Sequence, residues 1–101
     1  MRSEQKQIEG NLVLTDELQL YGQVTGVLTV ERGGVLHLYG MVGKGLVVRS
    51  GGKATVHGMV NGGIRNEGDL HVHGMVLGGI TTIPPGQTTV AQAASVSGGV
   101  A

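Results

Sequence analysis

From Leu12 onward an aliphatic residue or alanine stands at every sixth position, through Leu18, Val24, Val30, Leu36, Val42, Val48, Ala54 and Val60. The phase then slips by two residues and resumes at Leu70, Val76, Thr82, Thr88, Ala94 and Val100, with two threonines diluting the pattern. The slip predicts a shortened turn near Asn66-Glu67-Gly68-Asp69. Within each repeat hydrophobic residues lie two apart, as in Leu18/Leu20, Leu28/Val30, Leu36/Leu38, Leu46/Val48 and Leu70/Val72. That is the period of a strand with one buried face, not of a helix.

Three hexads make a larger unit, visible in Tyr21-Gly22-Gln23-Val24, Tyr39-Gly40-Met41-Val42, His57-Gly58-Met59-Val60 and His73-Gly74-Met75-Val76, whose glycines are 18, 18 and 16 residues apart. Three short strands per turn, closed by glycine-rich corners, predict an all-β, single-domain triangular parallel β-helix of about 18 residues per coil and roughly five coils. Rungs stacked at about 4.8 Å would make a prism on the order of 25 Å long. Residues 10–101 form this domain, and the polar residues 1–9 serve as an N-terminal tail or cap.

Aligning the coils predicts three interior columns: Val24, Val42, Val60 and Val76; Leu28, Leu46, Ile64 and Ile80; and Leu20, Leu38, Val56, Val72 and Val90. Branched side chains one strand apart fill a narrow axis without large rings. Asn66 falls in an aliphatic column, so it either ladders its amide or lines the shortened turn. Corners are expected at Gly33-Gly34, Gly51-Gly52, Gly62-Gly63, Gly78-Gly79 and Pro84-Pro85-Gly86, where glycine supplies positive φ.

Composition agrees with such a core. The 101 residues include 20 glycines and two tyrosines, with no phenylalanine, tryptophan or cysteine. Glycine at this density disfavours helix, and the missing rings leave small aliphatics to fill the interior. Without cysteine there is no disulfide framework, which suits a cytoplasmic protein. Seven basic and seven acidic residues cancel, so no long-range field marks the chain as a nucleic-acid or anionic-membrane binder. No apolar run approaches the roughly 18 residues of a membrane span.

Candidate chemistry is sparse. The central coils carry Arg32, Lys44, Arg49, Lys53 and Arg65, a mild basic band without the stacking aromatics of a nucleic-acid surface. His57 and His73 share an outward column, with His71 two residues away, so these three imidazoles are the one combination that invites a zinc or nickel reading. A solvated histidine ladder is the preferred account of them, since no carboxylate or cysteine joins the cluster by spacing, and no metal or other cofactor is expected. The serines lie in no nucleophile motif, and Gly43-Lys44-Gly45 lacks the spacing of a phosphate or dinucleotide loop. Hexads also occur in left-handed β-helical acyltransferases, but the residues after the hexad aliphatics here are mixed, and no enzyme activity is expected. More unusual is the alignment of Met41, Met59 and Met75 beside Tyr39, His57 and His73. It predicts an exposed, adaptable apolar stripe of the kind that contacts proteins.

The pattern Gly-x-Val-x-Gly, in Gly22-Gln23-Val24-Thr25-Gly26, Gly58-Met59-Val60-Asn61-Gly62 and Gly74-Met75-Val76-Leu77-Gly78, resembles the bactofilin family of bacterial cytoskeletal proteins over about residues 10 to 100. The middle coil departs from it at Lys44, where the second glycine would stand. The resemblance implies a right-handed coil and a non-enzymatic structural protein that polymerises end to end without nucleotide. The uncharged stretch 88–101 fits self-association, with Val90, Ala94, Val96 and Val100 as contact residues. The alternative is a protein-binding inhibitor, such as an immunity protein neutralising a toxin, that uses the Tyr39, Met41, His57, Met59, His73 and Met75 face.

Overall fold

The computed structural model of the chain describes residues 2–4, 7–83, 86–91 and 94–97. Among the described residues the backbone winds through 17 short strands, numbered in chain order, and all their pairing is parallel. One face stacks β1 (Arg2–Glu4), β4 (Glu17–Leu20), β7 (Val35–Leu38), β10 (Lys53–Val56), β13 (Asp69–Val72) and β16 (Gln87–Val90). A second stacks β2 (Gln7–Ile8), β5 (Gln23–Val24), β8 (Met41–Val42), β11 (Met59–Val60), β14 (Met75–Leu77) and β17 (Ser95–Ser97). The third stacks β3 (Leu12–Leu14), β6 (Leu28–Val30), β9 (Leu46–Val48), β12 (Ile64–Asn66) and β15 (Ile80–Thr82). Three parallel sheets around one axis make a triangular β-solenoid of about five turns, with overall extents of 30 × 24 × 21 Å. The set-apart N-terminal segment contributes to it, since Arg2–Glu4 pairs with Leu18–Leu20 and Gln7–Ile8 with Gln23–Val24.

Strand register reproduces the three expected columns residue for residue. Alternation is the reason: in β4, β7 and β13 the second and fourth residues are buried while the first and third are not. A shift by one residue would turn every leucine and valine of a strand outward. The columns lose their closure at the last coil. Val90 keeps its register opposite Val72 but is 39% exposed, because β16 is the final strand of its sheet.

Three corner types separate the faces. Between the first and second sheets the turn is a residue followed by glycine, and one carbonyl serves both amides. His57 N and Gly58 N donate to Leu38 O at 2.7 and 3.0 Å, as Tyr39 N and Gly40 N donate to Leu20 O. A Cβ on Gly40, Gly58 or Gly74 would overlap the carbonyl oxygen of Gly22, Gly40 or Gly58 in the coil below. These glycines are therefore set by close backbone stacking and not by positive φ. Between the third and first sheets, Gly34 N donates to Glu31 O and Gly52 N to Arg49 O, each at 2.9 Å, closing four-residue turns. Only the first glycine of each pair, Gly33 or Gly51, has positive φ (84° in both), whereas both members of Gly62-Gly63 and Gly78-Gly79 do. The Pro84-Pro85 part of the expected proline corner lies outside the described residues.

Asn66 accounts for the phase slip. Its side chain is fully buried between Val48 and Thr82 in the register. Gly68 N donates to Asn66 Oδ1 at 3.0 Å, so the side chain closes the two-residue-shorter corner as an Asx turn. Asn66 Nδ2 donates to Gln87 O at 2.7 Å and to Thr88 Oγ1 at 2.9 Å, and Thr88 and Thr82 share a 2.6 Å hydroxyl contact. The hydrocarbon axis thus gives way to a hydrogen-bonded polar plug before the last coil.

A second departure lies at the following corner. The hexad places Ala94 inward, but Val76 pairs with Val96. Two additional residues are accommodated by a turn in which Ala94 N donates to Ala91 O at 3.0 Å. Both Ala94 and Val96 are partly buried against the core.

Candidate interaction surface

The residue-glycine corner projects one side chain per coil, and stacking places these side chains in a row. Tyr21 and Tyr39 lie face to face with ring centroids 4.9 Å apart and planes 9° from parallel. Tyr39 and His57 follow at 4.9 Å and 5°, then His57 and His73 at 5.2 Å and 11°. The spacing is that of the β-rungs themselves, so the rings stack because the backbone does. Tyr21 and Tyr39 are 47% and 42% exposed, and His57 and His73 are also exposed. Ala91 follows His73 in the backbone pattern, since Ala91 N bonds Val72 O as His73 N bonds Val56 O. Tyr21 belongs to this surface although the candidate set began at Tyr39. The Tyr21-Gly22 pair, one period before Tyr39-Gly40, carried the signal.

Beside the rings, Met41, Met59 and Met75 stand in register on adjacent strands. Met75 is 39% exposed, but Met41 and Met59 are half-buried, and Asn61 Nδ2 lies 3.8 Å from Met41 Sδ. The stripe is therefore narrower than the sequence suggested, with its open part toward the C-terminal coils, where Leu77 is also exposed.

His71 is exposed on the first sheet and His37 stands two rungs away in its column, 3.4 Å from Glu17 Oε2. Among the described residues no three His, Asp or Glu side chains gather as a metal site. His57 and His73 lie face to face. Their ring centroids are 5.2 Å apart. The pKa of His57 is lowered, first by burial, then by the positive charges that His73 and His37 acquire on protonation.

The basic band is partly neutralised. Arg49 approaches Glu31 at 3.8 Å and Glu67 at 3.5 Å, and Arg65 approaches Glu67 at 3.9 Å. The arginines are more than half exposed, so each pair contributes about 0–1 kcal/mol. Lys44 and Arg65 border an open groove of about 290 Å³ floored by glycines of the corner between the second and third sheets. Among the described residues no histidine or carboxylate lines it.

The C-terminal face of the solenoid presents Val90 at the edge of the first sheet and Val96 at the edge of the second, with Ala94 between. Val100, the fourth expected contact residue, lies outside the described residues. Among the described residues no helix is long and apolar enough to cross a membrane. Comparison with protein-family models, with curated proteins and with solved structures finds no match.

Proposed function

We propose that the chain is a non-enzymatic scaffold that associates with further copies of itself through the ends of its solenoid, as its resemblance to the bactofilins implies. One observation carries this reading: the final strands β16 and β17 hold no charged residue, and Val90 continues a core column yet is 39% exposed. An unpaired strand edge beside an incompletely covered hydrophobic column is a template for another β-rung. At the opposite end β1 pairs Arg2 with Leu18 and Glu4 with Leu20. The absence of cysteine supports a reducing, cytoplasmic setting.

Sedimentation velocity over a wide concentration range tests the proposal. The wild-type chain forms species larger than a monomer, and Val90→Arg or Val96→Arg shifts the distribution toward monomer. A wild-type chain that stays monomeric at every concentration overturns it.

The exposed ring row and Met75 favour a second reading, a surface for a different protein, such as a toxin neutralised by an immunity protein. Under that reading Met59→Glu with Met75→Glu abolishes capture of the partner, and undiminished capture removes this face from consideration.

A further inference from the structure

We propose that Asn61 is a site of spontaneous deamidation, the backbone nitrogen of Gly62 attacking its side-chain amide. The chain has three asparagines, Asn11, Asn61 and Asn66, and their surroundings differ in the features this chemistry needs. Asn66 is fully buried, uses both amide atoms in hydrogen bonds of 2.7 to 3.0 Å and precedes Glu67. Asn11 accepts a 2.8 Å bond from Val27 N and precedes the branched Leu12. Asn61 precedes glycine, and its amide has only the 3.8 Å contact to Met41 Sδ.

The attacking group is equally unencumbered. Gly62 is exposed and carries no Cβ to block approach. Its N–H has no backbone or side-chain acceptor among the described residues, whereas the flanking Asn61 N and Gly63 N donate to Val42 O and Leu77 O, each at 2.8 Å. The nucleophile is therefore free while the atoms around it are held.

Solvent base removes the Gly62 amide proton, and the nitrogen lone pair forms a bond to Asn61 Cγ. The Cγ–Nδ2 bond breaks, the departing nitrogen takes up a proton and leaves as ammonia, and a succinimide ring remains. Water then opens either carbonyl of that ring, giving aspartate or isoaspartate with no change of oxidation state. Both products add a negative charge next to the corner that carries Lys44. Isoaspartate also lengthens the main chain by one atom at a corner without slack, since a Cβ on Gly62 would already lie 2.6 Å from Lys44 C. The isoaspartyl form is accordingly the less stable of the two.

Trypsin separates the asparagines into peptides 7–32, 54–65 and 66–101. The test holds the folded full-length chain in mildly alkaline buffer and follows these peptides by liquid chromatography and mass spectrometry, with a urea-unfolded sample in parallel. In the folded chain, peptide 54–65 gains the mass of an NH2-to-OH exchange and splits into two species, faster at higher pH, while 7–32 and 66–101 remain unchanged. Asn61→Gln, whose longer side chain cannot form the five-membered ring, removes the conversion. The proposal is overturned if folded 54–65 stays intact after the unfolded sample has converted, or if Asn11 or Asn66 converts first.

Discussion

Gly58→Ala adds one methyl group at a place where φ imposes no penalty, yet it is expected to be among the most damaging small substitutions in the chain. The new Cβ would overlap Gly40 O and lie 2.8 Å from Tyr39 C and O. Ordinary carbon contacts need roughly 3.5 Å, so the two coils must part locally. The amides of His57 and Gly58 bond Leu38 O at 2.7 and 3.0 Å, and Met59 N bonds Gly40 O at 3.0 Å. Parting the coils stretches all three. With two of these groups left unsatisfied at about 1–3 kcal/mol each, the loss is about 2–6 kcal/mol, against a total stability of about 5–15 kcal/mol for a typical domain. Gly51→Ala is the control. There φ is +84°, but the atoms nearest the Cβ belong to the Arg32 side chain, which can shift where backbone cannot, and the strain costs about 1–2 kcal/mol. Urea denaturation followed by far-ultraviolet circular dichroism ranks the two variants. A Gly58→Ala loss equal to or smaller than that of Gly51→Ala refutes the argument from coil stacking.

Asn66→Val fits the column sterically but orphans Gly68 N and Gln87 O, so a net loss of about 2–4 kcal/mol is expected in the same denaturation assay; a stabilised variant would show that the polar plug is dispensable. Because the folded-state pKa of His57 is lowered, the unfolded chain binds its proton more readily. The melting temperature therefore holds above the ordinary histidine value of about 6.5 and falls as pH drops below it toward the folded-state pKa. His57→Tyr keeps a ring between Tyr39 and His73 and flattens that part of the profile, and an unchanged acid slope would assign it elsewhere. Val48→Asp buries a charge without a partner and unfolds the domain, whereas Thr29→Asp on the outer face costs about 1 kcal/mol by thermal melting; equal effects would invalidate the inside-outside assignment.

Interior register was legible in the chain because a solenoid repeats one environment, so Val24, Val42, Val60 and Val76 each report the same column. Where a coil departs from the repeat, that redundancy is lost. Asn66 could be placed in a column and at a short turn, but a single residue gives no indication of which backbone groups it satisfies. Thr82 and Thr88 read as weakened core and prove to be partners in its hydrogen-bonded plug. Ala94 was put inward by the hexad count, while pairing selects Val96, since an insertion between degenerate small residues leaves no hydrophobic signature. On the surface, the column of Tyr39, His57 and His73 was readable, but the half-burial of Met41 and Met59 was not. At Met41 it involves Asn61, whose Nδ2 lies 3.8 Å from the sulfur.

The ring row separates order from burial. In the core, side chains are in register because misalignment would expose hydrocarbon to water. Tyr21, Tyr39, His57 and His73 are exposed, so their alignment is inherited from the backbone and adds about 0.5–1.5 kcal/mol per stacked pair at most. Stacking face to face, moreover, consumes the faces of the interior rings and leaves their edges outward. Those edges carry tyrosine hydroxyls and imidazole nitrogens at the spacing of the rungs, beside the partly open methionines. A partner meeting this surface would therefore find regularly spaced polar atoms next to apolar side chains. The terminal coil offers a strand edge and an unfinished hydrophobic column, for which another β-strand would be the fitting partner. The two surfaces thus fit different partners, and the proposed self-association through the ends would leave the ring row free for a second contact.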